Sequence, residues 1–574
     1  MASPPASPVS EDGEPTPWAN QADIWDDMQQ LEAFVGYNEW ARTYLGVHTC
    51  TDFVYEYESD DEDDDDAEGA EADADAASAV ETAEEMLAKP LVHVANSEPP
   101  PAINPAAACK HQQRQKTEDR ERGVFVAEDI APQSVVLSIP FESLLTVDWV
   151  RRKHRVLRQI KFFQHLDAET EDDQLAIALL YEKFVAREQS KWFPHITVLP
   201  RTYHNIMYFT KQQVDMLQGS NLFFIAEQIH DKVKSDYLAL RQKVLRDVAT
   251  MAVQHGETPE AVEHYFSFEN YVWALSTVWS RFVSLNILGE DDELENDAAE
   301  PIAVDATGKK KKKKKKSRSK RHVSPEERAM TSLKAMVPVF DMLNHDPAAQ
   351  MQHYYDIEAN AFVLVSNQHW QAGAQLFVNY GPLSNHKLLA LYGFVLPNNP
   401  FDAIDVWVPM DEATTKLYDL KAHVLEINGI DHLTTPFELT IDHVNELLLI
   451  IVRLQEISTT SKTEFEEAAA RALDGEIVHG TNENFTLLRL IYTFEQLLAH
   501  FPTTCEQDDE QLREHDNAVE NGDTDKILSL HDRMAIVLRK SDKLILKENI
   551  KMLKWRLLKF LPEQPIGATD TAEC

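Results

Sequence analysis

The stretch "MVPVFDMLNHDPAAQ", Met336–Gln350, passes from an apolar run to a carboxylate, an amide and an imidazole at Asp341, Asn344 and His345. Val337 to Phe340 reads as buried strand, and polar groups bordering a buried segment have to be paired or turned toward a ligand. Two kinds of chemistry fit. Asn and Asp close turns by bonding nearby backbone, and Asn-His-Asp-Pro is a reasonable turn after a strand. An Asn amide, which both donates and accepts, can also hold a polar cofactor group. A metal reading of His345 with His353 lacks a third ligand at suggestive spacing. The stretch by itself leaves turn and binding site open.

Whatever these residues do, other elements have to position them. Strands are expected at "AMVPVFDML", "NAFVLVSNQ" and "AQLFVNYG", the last two joined by the turn-like "HWQAGA". Two further β-rich runs flank the turn signal in "RGVFVAEDIAPQSVVLSIP". From about Val147 to Val253 the pattern is helical, and "DDQLAIALLYEKFVARE" opens with acid and carries Leu175, Ile177 and Leu180 on one stripe. "YVWALSTVWSRFVSLNIL" reads as another amphipathic helix. After "FDAIDVWVPM" the chain is almost all helix to about Leu561, with Asp411 as the expected N-cap of "DEATTKLYDLKAHVLEING" and Gly429 closing it. Near the start, Trp25, Leu31, Phe34, Trp40 and Leu45 have roughly helical spacing, and "TDFVYEY" alternates like a strand. The segregation of β-rich and helical blocks implies an α+β domain followed by an all-α one.

Composition sets the outer bounds. A chain of 574 residues suggests two or three domains, and 43% hydrophobic content is enough to fill their cores. The net charge of -41 is unevenly spread. "YESDDEDDDDAEGAEADADAA", Tyr57–Ala77, repels itself and buries almost nothing, so an acidic, disordered insertion is expected over residues 58–108. A charged, lysine-rich insertion is expected over 290–327, and disordered tails over 1–22 and 562–574. The four cysteines, Cys50, Cys109, Cys505 and Cys574, are far apart with no C-x-x-C pair, which speaks against a thiolate metal cluster or a disulfide scaffold. The first residues lack a signal-peptide pattern, and no apolar run approaches membrane-spanning length. A soluble protein of the nucleus and/or cytoplasm, without metal or membrane partner, is the expectation. The Lys309–Lys316 run fits a nuclear signal, a nucleic-acid-attracting patch or a solvated insertion; no aromatics interleave with it, so a nucleic-acid enzyme is not expected.

Three separated stretches resemble the SET-domain protein methyltransferases, and within them the class of the Rubisco large-subunit lysine methyltransferase. "RERGVFVAEDI" is similar to that class's G-x-G-(L/M)-x-A-x-x-D-I, although Glu121 stands where its first glycine is usual. "VPVFDMLNHDP" is similar to V-P-x-x-D-x-x-N-H, and "LFVNYGPLSNHKLLALYGFVLPNNPFD" to I-x-x-x-Y-G-x-x-S-N-x-x-L-L-x-x-Y-G-F. The blocks occur in the family's order, and the resemblance covers about Trp40 to Leu561 apart from the charged insertions. It implies a β-rich SET domain over 23–408 with a helical insert at 147–270, then a helical substrate-binding domain over 409–561.

What the resemblance implies chemically is methyl transfer from S-adenosyl-L-methionine to a lysine side chain of a protein substrate, by a chain expected to be monomeric. The class pattern assigns cofactor contacts to Arg122, Gly123, Ser280, Arg281, Asp341, Asn344, His345 and Tyr380. Tyr380 also matches the catalytic tyrosine, with Tyr392 beside it. Tyr392 and Phe394 match the aromatic wall of a substrate channel, with Ser284 as a further lining residue. An aromatic wall suits an ammonium that must lose its water. A related branch methylates actin histidine with an Asn shortly after the arginine matching Arg281; here Phe282, Val283 and Ser284 follow, which favours lysine. A non-catalytic SET-type interaction module is the rival from another class, and the missing glycine is what supports it.

Overall fold

The computed structural model describes residues 48–49, 92–96, 122–288 and 330–559. The tails at 1–22 and 562–574, the helical spacing of Trp25 to Leu45, the 51–57 run, the lysine-rich insertion and most of the acidic one lie outside the described residues. One piece of the 58–108 insertion differs from the expectation: Val92–Asn96 is a strand, paired antiparallel with Arg122–Val126.

Thirteen strands follow in chain order among the described residues. They are β1 (His48–Thr49), β2 (Val92–Asn96), β3 (Arg122–Val126), β4 (Ser134–Pro140), β5 (Leu145–Thr146), β6 (Phe282–Leu288), β7 (Met330–Met336), β8 (Asn344–His345), β9 (Met351–Asp356), β10 (Ala361–Ser366), β11 (Gln375–Val378), β12 (Ala403–Val406) and β13 (Phe437–Thr440). They form small sheets in the orders β1-β4-β10-β9, β2-β3-β11-β8 and β5-β7-β6, plus the ribbon β12-β13. The fold is α+β: β-rich layers enclosing a large helical insert, then a helical C-terminal part. That C-terminal part is not purely helical, because β13 returns to pair with β12.

Several helices begin where side chains satisfy the free amides of a first turn. Ser267 caps the helix Phe268–Arg281 and Ser529 caps Leu530–Leu558. Glu171–Tyr181 opens with Glu171, Asp172 and Asp173, which complement the helix dipole. Its apolar stripe is wider than the sequence suggests. Leu175, Ala176, Ile177, Ala178, Leu179 and Leu180 are all buried, since the helix lies inside the core and packs against Phe268–Arg281.

Three expectations need correction. The segment after Arg281 leaves the helix: Phe282–Leu288 pairs along its full length with β7, from Phe282↔Met336 to Leu288↔Met330. Its apolar spacing continues the helical period, but partner strand β7 captures its backbone hydrogen bonds. Val337 to Phe340 is buried but is not strand. β7 ends at Met336, Pro338 has no amide to continue a ladder, and Val339 sits at φ 73° before a 3₁₀ turn over Phe340–Met342. Asp411 does not cap the helix that follows. That helix runs Tyr418–Ile427, and Asp411 closes its own local turn through Ala413, Thr414 and Thr415. Gly429, at φ 76°, does close it.

One apolar core joins the sheets to the insert and a second fills the C-terminal part. A third cluster links them, with Ile206 and Leu222 of the insert, Leu389, and Met534 and Leu538 of the last long helix. That helix, Leu530–Leu558, also carries the polar ties. Arg539 donates to the Met216 carbonyl at 3.3 Å, and Asp542 meets the His386 ring at 2.9 Å.

Candidate active site

Strand β11 assembles the site. It runs antiparallel to β3, with Gln375 opposite Phe125, and parallel to β8, with Phe377 opposite Asn344 and Val378 opposite His345. Three stretches distant in sequence thereby lie side by side. At the β3 edge a Cβ on Gly123 would stand 2.8 Å from the Gln375 carboxamide, closer than real Cβ contacts allow. Glycine here lets Gln375 cross the strand, where its Oε1 accepts from Asn344 Nδ2 at 3.2 Å. Arg122 contributes backbone to β3 opposite Asn96.

Tyr380 follows β11 and is fixed at both ends. Its amide donates to His345 Nδ1 at 3.1 Å and its hydroxyl donates to the Leu343 carbonyl at 2.6 Å. The ring lies 5.0 Å from that of Tyr392, nearly parallel, and 5.0 Å from that of His345. Phe394 closes the group, 6.0 Å from His345 and 6.3 Å from Tyr392. Burial pushes the Tyr380 phenol well above its ordinary pKa, against the pull of Arg281, and burial raises Tyr392 as well. Both hydroxyls are therefore donors at neutral pH. Burial lowers the His345 pKa, and with Nδ1 accepting from Tyr380 its neutral ring carries the proton on Nε2.

The helical insert closes over this group. Gly393 has φ 83°, and a Cβ there would stand 2.7 Å from backbone atoms of His204 and Asn205. The segment Tyr203–Asn205 thus packs directly on the turn between Tyr392 and Phe394.

Arg281 ends its helix beside the site. Its Nη1 donates to the Asp341 carbonyl and lies 3.7 Å from Met342 Sδ, while its buried Nε has no partner among the described residues. Burial works against its charge, but Tyr203 and Asp341 outweigh it and hold the guanidinium's pKa above its ordinary value.

Asp341 has its buried carboxylate 3.0 Å from His195 Nε2, where its charge also acts on Arg281, Tyr203 and Tyr380. Two expected residues are placed elsewhere. Ser280 donates to the Ser276 carbonyl at 2.8 Å, within its own helix. Ser284 is exposed on β6 opposite Lys334, since the chain leaves the helix at Phe282. Structure brings in Gln375, His195 and Tyr203 instead. Gln375 sits in a stretch legible only as strand, and the other two lie in the insert, where no local pattern marks them.

The arrangement offers a donor-and-acceptor edge at Gln375, Asn344 and His345, a buried cation at Arg281, and an aromatic enclosure around a polarised hydroxyl. Among the described residues no group of His, Cys, Asp and Glu is placed to hold a metal ion, and no helix is long and apolar enough to cross a membrane.

Residues 121–381 match the SET domain, and residues 412–546 match the Rubisco LSMT substrate-binding domain. The ribosomal lysine N-methyltransferase set10 of Schizosaccharomyces pombe is 26% identical over 61% of this chain and 53% of its own. The human (Homo sapiens) actin-histidine N-methyltransferase is 25% identical over 75% of this chain and 63% of its own. The chain thus spans between about half and just under two thirds of the length of these relatives. Solved structures share the fold. Rubisco LSMT bound to AdoMet superimposes with a TM-score of 0.54 at 20% identity, covering 76% of this chain and 86% of that one. The SET domain of LSMT bound to lysine and AdoHcy gives the same values.

Proposed function

We propose, for a chain made of a SET domain followed by a Rubisco LSMT-type substrate-binding domain, that it is an S-adenosylmethionine-dependent protein methyltransferase acting on lysine side chains. The observation that carries this reading is the convergence on β8 and β11 of Asn344, His345 and Tyr380, enclosed by Tyr392 and Phe394. Two features fit the cofactor. The buried, unpartnered Nε of Arg281 suits a carboxylate, and Gly123 leaves the β3 edge without a side chain where Gln375 crosses. When bound, S-adenosylmethionine supplies a methyl group activated on a sulfonium, so no metal is needed. Arg281 then binds the carboxylate, and Asn344 with the backbone of β8 holds polar edges of the molecule. Tyr380 keeps its proton, which goes to the Leu343 carbonyl, so its fixed oxygen is left to accept from the N–H of the incoming amine, orienting it and stabilising charge near it. Alignment of this kind is the main contribution a protein can make to an in-line displacement.

A lysine amine has an unperturbed pKa of about 10.4 and attacks only when neutral. Burial against Tyr392 and Phe394 and the nearby Arg281 charge both favour proton loss. Val283, two residues after Arg281, is a buried aliphatic side chain, and Ser284 faces outward, so no amide stands there to hold an imidazole. The similarity to the actin-histidine enzyme over three quarters of the chain favours histidine as the second reading. Incubation with labelled cofactor and a methyl-depleted proteome, followed by mass spectrometry, separates the two. Label on lysine supports the first reading, label on histidine replaces it with the second, and absence of cofactor binding by calorimetry sinks both.

A further inference from the structure

We propose that His195 is a positioning residue of this site, acting through Asp341 on the turn that holds both Arg281 and Tyr380. The proposal rests on the methyltransferase reading only for what the site does; the coupling itself is geometric.

His195 comes from the short insert helix Phe193–Thr197, and its ring is 3% exposed. Its Nε2 lies 3.0 Å from Asp341, whose side chain is wholly buried. A carboxylate cut off from water needs donors or charge around it. The groups acting on this one are His195, Arg281, Tyr203 and Tyr380, the first and third supplied by the insert.

The backbone on which Asp341 sits does the holding. Asp341, Met342 and Leu343 amides donate back to Val337, Val339 and Phe340 carbonyls at 3.1 Å each, making one tight turn. Two carbonyls leave that turn toward the site: that of Asp341 accepts from Arg281, and that of Leu343 accepts from the Tyr380 hydroxyl. The turn contains Val339 at φ 73°, a conformation a β-branched residue adopts only when its surroundings impose it. The buried His195–Asp341 contact is such a constraint. It pins the turn to the insert, so a shift of the insert helix moves the two carbonyls together. A histidine that merely filled the core would affect stability and leave Tyr380 alone.

The test uses the full chain with 3-fluorotyrosine at position 380, read by fluorine NMR, alongside calorimetry with S-adenosylmethionine. His195→Ala is expected to move the resonance and to weaken cofactor binding about tenfold, the scale of one lost charge-assisted contact. His195→Gln, whose carboxamide can reach and donate to Asp341, is expected to restore both. Asp341→Asn keeps the volume but removes the acceptor charge, and is expected to move the resonance as His195→Ala does; it decides the matter if the alanine variant does not fold. An unmoved resonance in either disruptive variant overturns the proposal, as does a folded glutamine variant that behaves like alanine. Failure of the unsubstituted chain to bind S-adenosylmethionine would instead remove the functional reading, while the fluorine result still judges His195.

Discussion

At the scale of single residues, the hydroxyl of Tyr380 is the group whose removal is most diagnostic. Tyr380→Phe leaves the ring between His345 and Tyr392 and takes away only the bond to Leu343. Turnover is expected to fall by roughly a hundredfold or more, the range for losing one preorganised hydrogen-bonding group. Cofactor affinity by calorimetry should stay within about twofold. Undiminished turnover would remove the assigned role. Gly123→Ala tests the other edge. The new Cβ has to push the Gln375 carboxamide aside, which breaks its bond to Asn344. Because a flexible side chain can yield, the expected stability loss is about 1 kcal/mol, with cofactor binding weakened several-fold. A chain that melts normally and binds normally would show that Gln375 does not matter. Asn344, His345, Tyr380, Tyr392 and Phe394 were legible in the sequence because each sits in a motif of fixed local spacing. Gln375, His195 and Tyr203 were not, since tertiary packing alone brings them in. Asp341 is legible as a site residue, but its partner His195 is not, because the insert brings it in.

At the scale of elements, the helix Phe268–Arg281 matters because its last residue is Arg281. Its start depends on Ser267, whose Oγ accepts from the Asn270 amide at 3.3 Å. Ser267→Ala is expected to cost about 1 kcal/mol, visible as a lowered melting temperature, with little change in cofactor affinity because the cap is at the far end. Its other end is where sequence reasoning fell short. Val278, Phe282 and Leu285 keep a helical rhythm across the boundary, yet the chain turns to strand at Phe282. A period computed along the chain cannot register β7, which lies some forty residues on and supplies the competing hydrogen bonds. The same limit explains Val337 to Phe340. Burial is legible there, but Pro338 prevents the ladder from reaching so far. Strands β3, β4, β10 and β11 were readable because alternation and flanking turns agree with their tertiary partners.

At the scale of the whole molecule, the β-rich part and the helical part are held by a buried polar cluster as well as by apolar contact. His386, between Tyr380 and Tyr392 in the chain, has its Nε2 2.9 and 3.0 Å from the two Asp542 oxygens and 3.3 Å from Ser220 of the insert. Ser541 donates to Asp402, which also accepts from Asn385. Burial disfavours the charged His386 ring, but Asp542, then Asp402 and Asp405, outweigh it and raise its pKa above the ordinary value. The sign follows from proton linkage. The folded chain binds this proton more tightly than the unfolded one, so the contribution is fully present below the unfolded value of about 6.5 and is lost as pH rises through the raised folded value. Asp402, pushed up by burial, works in the same sense at lower pH: stability falls as pH climbs from its ordinary value toward its raised one. Melting temperature is therefore expected to decline from about pH 6 toward alkaline pH. Asp542→Asn should flatten that dependence, because the ring then lacks the charge that raised its pKa, and should lower stability at pH 6 by several kcal/mol, as broken buried pairs do. A variant that keeps the full pH slope would place its origin elsewhere and leave His386 a neutral packing residue. The joint matters for function as well, because the same helix Leu530–Leu558 reaches the insert through Arg539 and Met216. Weakening the clasp should therefore loosen the insert over Gly393, and Asp542→Asn is expected to raise the KM for protein substrate more than it lowers single-turnover rate at pH 6.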